Sequence, residues 1–258
     1  MAGGTRRKRR MRLHTTADAG AAFHSAEAVR VPKRWVKLVV GIFLLPVAWI
    51  LTQAFFTTFA RATIHGEFWL TEEFWFFALG VVLWMVAFVG LPRPLWLYVF
   101  GHEITHAIMV WMMGGRVSRI HVDTRGGFIV ANRLNTWIAL APYFLPIYSV
   151  LVICLFGWAG VFTDVWPYRT ILYAAVGVTW AFHLSFTCVM IPKGQSDLTY
   201  GGVFFSLVLI YLMNLLILSA LLILAAPQVS LRGFARQVFL RSMEFIETIH
   251  ILLRQVGA

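Results

Sequence analysis

The chain has 258 residues, of which 60% are apolar, 16% aromatic and only 13% charged. An ordinary soluble domain carries about 25% charged residues, because polar side chains must cover much of its surface. This composition therefore argues against a soluble cytosolic enzyme, a disordered protein or a disulfide scaffold, and it predicts an integral membrane protein.

The net charge of +11 is concentrated in a basic tail, residues 1–34, which holds nine of the 22 Lys and Arg residues. Six of these form a run between Arg6 and Arg12. Such a run can bind nucleic acid, but no recognition motif and no soluble domain follow it, so we expect no nucleic-acid partner. We predict a disordered cytoplasmic tail that faces the lipid surface and is held inside by its positive charge.

The middle of the chain, residues 35–228, is predicted to be a transmembrane domain. Helices that cross a bilayer need about 20 predominantly apolar residues, and this criterion indicates about six of them. The fold class is therefore an all-α polytopic membrane protein. The six predicted spans cover residues 36–59, 74–91, 95–113, 134–158, 168–191 and 202–226. Pro142 and Pro146 lie inside the fourth span and predict a kink there.

A small β-hairpin is predicted directly after the third span. Residues 116–133 read RVSRIHVDTRGGFIVANR, with many β-branched residues, partial alternation and a break at Arg125-Gly126-Gly127. This pattern is typical of a hairpin. Because two strands alone are only marginally stable, we expect the hairpin to pack against the helices at the membrane edge. With the amino terminus inside, six spans would place it on the outer face.

The carboxyl-terminal segment, residues 229–258, is predicted to be an amphipathic helix at the membrane surface. From Ser230 to Val256, arginines alternate with Phe, Ile and Leu at helical spacing. Such a helix lies in the interface with its apolar face toward the lipid.

The third span carries the motif HEITH, which starts at His102. Residues four apart project from nearly the same helix face, so His102 and His106 can bind one Zn²⁺. Glu103 can reach a zinc-bound water and act as its general base. Ionisable groups inside a bilayer are costly and indicate function, and Glu103 is the one acidic residue clearly within a predicted span. The alternative is a polar cluster that joins helices.

A catalytic zinc also needs a third protein ligand and an open position. Two candidates remain after the residues of the tail, loops, hairpin and surface helix are set aside. One is His183 in the fifth span, where a helix–helix hydrogen bond is the alternative role. The other is Asp197, between the fifth and sixth spans, where a helix N-cap is the alternative. Asn135 and Asn214 are predicted to line a polar cleft or to bond substrate, although Asn214 could simply join helices.

The run GHEITHAIMVWMMGGRVSRIHV resembles the site-2 protease group of intramembrane zinc metallopeptidases. Ala141-Pro142-Tyr143 and the later Gln-Ser-Asp block are similar to the short bacterial branch of that group. The resemblance covers roughly residues 95–214. It implies an aspartate as third zinc ligand, which is Asp197 here, and a hairpin that faces the cytoplasm. The Asn-Pro…Leu-Asp-Gly context of the family is absent, so His183 stays open as the alternative ligand.

These features predict a zinc endopeptidase of the bacterial inner membrane that cleaves peptide bonds in or near transmembrane segments. Its partners would be the lipid bilayer, a membrane-protein substrate and a regulatory membrane protein. The substrate helix would unwind near the site, and the hairpin could hold the extended peptide by β-augmentation. Two alternatives are a non-catalytic membrane scaffold that retains the fold for partner binding, and a metal transporter with ligands on several helices.

Overall fold

The computed structural model describes residues 34–66, 68–124, 126–226 and 228–256. The predicted basic tail lies outside these residues, except that Arg34 begins the first helix. The described residues form nine α-helices and one antiparallel pair of strands, which are α1 (Arg34–Ile64), α2 (Glu72–Gly90), α3 (Leu95–Met112), β1 (Val117–Asp123), β2 (Gly126–Ala131), α4 (Thr136–Leu140), α5 (Ile147–Ala159), α6 (Arg169–Met190), α7 (Ser196–Gly201), α8 (Val203–Ala225) and α9 (Leu231–Val256). The architecture is that of a helical membrane protein with one small sheet.

Four of the described helices, α1, α2, α6 and α8, are long and apolar enough to cross a membrane. A fifth span exists if α4 and α5 count together, since they are separated by a short break and bent by 80°. The kink predicted in the fourth span is therefore confirmed. The prediction of six spans is wrong, because His102, Glu103 and His106 lower the hydropathy of the 18-residue α3.

The first parallel pair of spans is α1 and α8. Gly41, near the start of α1, lies against Phe204 near the start of α8. Near the other ends, Ala62 and Leu222 share one buried cluster. The two helices therefore run in the same direction along their whole length.

The second parallel pair is α2 and α6. Glu72 and Arg169 form an ion pair of 2.8 Å where both helices start, and Trp84 donates a hydrogen bond to Ser185 nearer to their ends. Since only a short connection joins α1 to α2, the two pairs run in opposite directions. One end of the bundle therefore contains the starts of α1 and α8 and the ends of α2 and α6. We call it the α1-start end.

Helix α3 does not run from one end of the bundle to the other, because both of its ends lie near the α1-start end. Tyr98, in its first turn, stacks on Phe186 near the end of α6, with ring centres 4.9 Å apart. Just after the last turn of α3, Met113 Sδ lies 2.9 Å from Asn135 Nδ2. Thr136, which follows Asn135 and begins α4, contacts Lys37 near the start of α1. The hairpin therefore lies at the end of the bundle where α1 starts, not at the opposite end as six spans would require.

The predicted hairpin is confirmed. Its strands pair antiparallel, with Ile120 opposite Ile129. On β2, Ile129 and Ala131 are buried against Val110 of α3 and Ile138 of α4. This packing supplies the support that an isolated two-stranded hairpin lacks, and it attaches the hairpin to the helix that carries the HEITH motif.

The carboxyl-terminal helix α9 lies where an amphipathic helix is predicted. Its first half packs on α1, with Phe234 and Gln237 buried and Arg241 donating a hydrogen bond of 3.0 Å to Thr57. Most apolar side chains of its second half are exposed. Its position at a membrane surface stays a prediction.

The close contact between α2 and α6 depends on two glycines. A Cβ atom added at Gly80 would overlap the carbonyl oxygen of Ala174, and one added at Gly177 would overlap that of Phe77. Small residues let helix backbones approach closely inside a membrane, where dispersion contacts drive helix association. These glycines therefore set the distance between the two helices.

We expect Gly80→Ala to lower the free energy of unfolding by about 1–3 kcal/mol, the usual cost of overpacking, because the helices must move apart. Thermal unfolding of the detergent-solubilised protein measures the effect. Gly157→Ala is the matched control, since its added Cβ meets no atom within 4 Å and alanine favours a helix. A Gly80→Ala protein as stable as wild type would contradict the close packing of α2 on α6.

Candidate metal centre

Three buried side chains bring potential ligand atoms together at the α1-start end of the bundle. His102 Nε2 lies 3.1 Å from Asp197 Oδ2 and 3.2 Å from His106 Nε2, and His106 Nε2 lies 3.5 Å from Asp197 Oδ2. None of the three residues is more than 9% exposed. The group has the composition and spacing to hold a metal ion.

Both histidines come from consecutive turns of α3, where residues four apart share a face. The helix begins directly after Pro94, a residue type that suits a helix start. It ends just before Gly114, whose φ of 71° is the left-handed conformation that glycine adopts readily at helix ends. The motif is therefore rigidly helical along its length.

Asp197 comes from α7, a helix of six residues between α6 and α8. Gly194 and Gly202 flank it with φ angles of 77° and 88°, so the chain turns sharply on both sides. A helix this short is not stable alone, and tertiary contacts must hold it. One is the hydrogen bond of 2.9 Å from Ser206 Oγ to the carbonyl of Leu198. Asp197 lies in the first turn of α7 and is not its N-cap, which is Gln195.

The second ring nitrogen of each histidine is also engaged. His106 Nδ1 lies 2.8 Å from the carbonyl oxygen of Ile138, and His102 Nδ1 lies 3.3 Å from the hydroxyl of Tyr98. A carbonyl can only accept, so His106 donates from Nδ1, and in a neutral ring this leaves the lone pair of Nε2 directed toward the other ligands. Metal-binding histidines are commonly oriented by such a bond.

Asn135 supports the position of His106 indirectly, through the backbone of α4. Its side-chain oxygen accepts a hydrogen bond of 2.9 Å from the backbone N–H of Ile138 and so caps the start of α4. Ile138 in turn supplies the carbonyl that orients His106. The structure thus shows Asn135 supporting the segment that orients His106, and its predicted part in lining a polar cleft or bonding substrate stays a prediction.

Tyr143 is a site residue to which sequence reasoning gave no chemical role. Its hydroxyl donates a hydrogen bond of 3.0 Å to Asp197 Oδ2, its ring meets His102 edge to face, and it is fully buried. Asn214 donates a hydrogen bond of 2.9 Å to the Tyr143 carbonyl. Asn214 therefore ties α8 to the backbone of Tyr143. The Ala-Pro-Tyr block was the one sequence signal for Tyr143, and it specified no contact.

Glu103 is buried beside the ligands and is covered by the hairpin. A Cβ added at Gly127 of β2 would lie 2.6 Å from Glu103 Cγ and 2.9 Å from Oε1. Only glycine leaves room for the carboxylate at this position. Among the residues that the structure describes, none forms a hydrogen bond with the Glu103 carboxylate, so its oxygens are available to a water molecule.

His183 lies outside the group of three ligands. It is buried in α6, and its Nε2 has no hydrogen-bond partner among the residues described. The ring lines a cavity beside His102 together with Tyr98 and Tyr148. The cavity has a volume of about 20 Å³, which is enough to hold one water molecule. Of the two candidate third ligands, the structure brings Asp197 to the histidines and leaves His183 apart.

No protein-family model, curated protein or solved structure matches this chain. Its function is therefore inferred from the chemistry of this centre and its surroundings.

We expect the purified protein to bind about one zinc ion, held by three protein ligands with one open position. His106→Ala and Asp197→Ala should each lose it, since two remaining ligands bind weakly, whereas His183→Ala should retain it. Metal analysis of detergent-purified protein after equilibration with zinc and desalting gives the stoichiometry. His121→Ala, at an exposed histidine of the hairpin, controls for adventitious binding. Loss of zinc in His183→Ala but not in Asp197→Ala would contradict the ligand set.

Proposed function

We propose that this protein is an intramembrane zinc metalloendopeptidase of the site-2 protease type, which hydrolyses peptide bonds in or near transmembrane segments of membrane proteins. The carrying observation is the convergence of His102, His106 and Asp197 beside a buried glutamate in a helical membrane protein. A purely structural polar cluster would not need three ligand atoms turned toward one point.

The donor set and its dimensions support zinc as the metal. Two imidazole nitrogens and one carboxylate oxygen are typical of catalytic zinc sites, in which the fourth position stays open. Tetrahedral zinc with bonds of about 2.0–2.1 Å separates its ligand atoms by about 3.3 Å, and the three observed separations are 3.1, 3.2 and 3.5 Å. When bound, zinc supplies Lewis-acid polarisation of the water nucleophile and of the peptide carbonyl.

Glu103 is the general base in this proposal. It directly follows His102 on α3, and its buried carboxylate has no competing hydrogen bond within the described part of the chain. The water that attacks the peptide carbonyl transfers a proton to Glu103, which then delivers it to the leaving amine. The carboxylate must be held close to the attacking water, and the backbone of β2 restricts its position.

The hairpin favours an extended peptide as the substrate. The sheet has two strands, so each strand has one edge without a strand partner among the residues described. A peptide that adds to the free edge of β2 by β-augmentation would lie beside Gly127 and hence near Glu103. An extended conformation also frees the scissile carbonyl, which is hydrogen-bonded within a helix.

The proposed location is the bacterial inner membrane, with the site toward the cytoplasm. The basic tail predicted for residues 1–34 leads into the α1-start end, and positively charged segments stay on the cytoplasmic side. The hairpin adds Arg116, Arg119 and Arg133 to the same end. Five spans, with α4 and α5 counted together, therefore agree with the positive-inside rule and with the cytoplasmic hairpin that the family resemblance implies.

We expect Glu103→Gln to retain zinc but to lower the rate of cleavage by about 10²–10⁴-fold, the usual contribution of a general base. The assay reconstitutes the protein in liposomes with a pool of single-span membrane proteins, and mass spectrometry identifies new termini. Glu247→Gln, on the exposed part of α9, is the matched control. Undiminished cleavage by Glu103→Gln would overturn its role. A wild-type protein that binds zinc and cleaves nothing would favour the non-catalytic scaffold.

We expect Gly127→Ala to reduce cleavage by about 10–100-fold, since misplacing a catalytic group by about 1 Å has such effects. The added methyl group displaces the Glu103 side chain while the three ligands are untouched, so zinc binding should stay at the wild-type level. The same liposome assay and metal analysis test both statements. If Gly127→Ala cleaves as fast as Gly157→Ala, the hairpin does not position Glu103.

A further inference from the structure

Lys37 is a buried charge that the proposed mechanism does not use. Apart from histidines, the charged side chains that are buried among the described residues are those of Glu103, Asp197 and Lys37. The first two belong to the candidate metal centre. Lys37 is only 6% exposed, and in the described ranges no carboxylate lies within ion-pair distance of its Nζ. Because an unpaired charge is costly to bury in a membrane protein, it indicates a function.

The ammonium group of Lys37 contacts two of the segments that build the metal centre. Its Nζ lies 4.8 Å from the centre of the Tyr200 ring in α7 and 3.4 Å from Thr136 Oγ1, at the start of α4. The first distance is that of a cation–π interaction. Phe205, at the start of α8, contributes a second ring at 6.0 Å. Lys37 therefore joins α1 to both α7 and α4.

Both α7 and α4 help to position a metal ligand. Tyr200 lies three residues after Asp197 in α7, so the two are neighbours on the helix surface. Ile138 of α4 supplies the carbonyl that orients His106. A shift of α7 or α4 would therefore move one ligand or reorient another, and Lys37 contacts both helices at once.

Helix α7 depends strongly on such contacts. It has six residues and is bounded by two glycines with positive φ, which allow the segment to turn as a unit. Tyr200 also donates a hydrogen bond of 3.3 Å to the carbonyl of Leu134. A Cβ added at Gly201 would lie 3.5 Å from Nζ, so the lysine also lies against the end of α7. The ring of Tyr200 is thus held by its hydroxyl on one side and by the ammonium on its face.

We propose that Lys37 is a positioning residue for the third metal ligand, because its ammonium fixes the Tyr200 ring against α4 and so holds Asp197 in place beside α3. This proposal rests on the proposed function, because it treats Asp197 as a metal ligand. The effect of Lys37 on the position of α7, however, can be measured in the metal-free protein.

The experiment compares the full chain in detergent with substitutions that separate charge, ring and hydroxyl. Lys37→Met removes the charge, and Lys37→Arg retains a cation that can lie on the ring. Tyr200→Leu removes the ring, and Tyr200→Phe removes only the hydroxyl. Lys193→Met, an exposed lysine between α6 and α7, is the matched control. Amide hydrogen exchange of residues 195–201 is measured on the metal-free protein. The absorption spectrum is measured on the protein loaded with Co²⁺, and the affinity for zinc is measured by titration.

We expect exchange in residues 195–201 to become about tenfold faster in Lys37→Met and Tyr200→Leu, because local opening of α7 becomes easier. Zinc affinity should fall by about 10–100-fold, as when a partner of a metal ligand is removed, and the Co²⁺ bands should shift. Lys37→Arg should keep most of the wild-type behaviour and Lys193→Met all of it, and Tyr200→Phe should be less impaired than Tyr200→Leu, because it loses the bond to Leu134 but keeps the ring on which the ammonium lies. This rescue by arginine distinguishes a role of the charge from a general loss of packing.

Two results would overturn the proposal. One is wild-type exchange of α7 in Lys37→Met, and the other is a Lys37→Arg protein as impaired as Lys37→Met. Failure of the proposed function looks different. In that case the wild-type protein binds no zinc or cleaves no substrate, while the exchange of α7 in the metal-free protein still depends on Lys37.

Discussion

The carboxylate oxygen Oδ2 of Asp197 is the point on which three separate segments of the chain converge, which are α3, the segment of Tyr143 and α7. It lies within 3.5 Å of both histidines of α3 and accepts a hydrogen bond from Tyr143. Its own helix, α7, is held between the ends of two spans. A buried carboxylate in a membrane protein requires such partners, because neither lipid nor apolar side chains replace the water that it loses. The break before α5 and the turns around α7 both serve this one requirement.

The same requirement explains why α3 is not an ordinary span. Its histidines find polar partners in α7 and α4, and the hairpin covers Glu103. These partners gather at the α1-start end, where the chain can depart from regular helix because protein surrounds it. The four long apolar helices, with the exposed apolar surface of α1, α2 and α8, provide the surface suited to lipid. Membrane anchoring and polar chemistry are thus assigned to different helices.

Local patterns predicted the parts of this protein that depend on neighbours in sequence. The spacing of His102 and His106 follows from helix periodicity, and the β-branched run with its glycines predicted the hairpin. The count of spans failed at α3, because its mostly apolar sequence was taken as a span although His102, Glu103 and His106 lower its hydropathy. The kink at Pro142 and Pro146 was predictable, since proline removes a backbone donor, but its 80° angle was not.

The contacts between distant residues were less accessible. The pairing of Tyr143 with Asp197 and of Lys37 with Thr136 joins residues 54 and 99 positions apart, and no periodicity encodes it. Residue type left both His183 and Asp197 as third ligands, and the family resemblance favoured Asp197. Only the fold distinguishes them, since it brings α7 to α3 and leaves His183 beside a small cavity. Lys37 gave no signal at all in sequence, because lysines near the start of a span usually reach the membrane surface.

The order of the ligands along the chain has a consequence for biogenesis. Asp197 follows His102 by 95 residues, and at about 5–20 residues per second of synthesis the ribosome needs about 5–20 s to cover that interval. During this time α3 is already made, yet its two imidazoles and its glutamate lack the aspartate and most of their enclosure. A nascent chain therefore cannot assemble the three-ligand centre before the segment between α6 and α8 has emerged. Metal binding by all three side chains would therefore have to await near-completion of membrane insertion, and a truncated chain would carry the motif without the site.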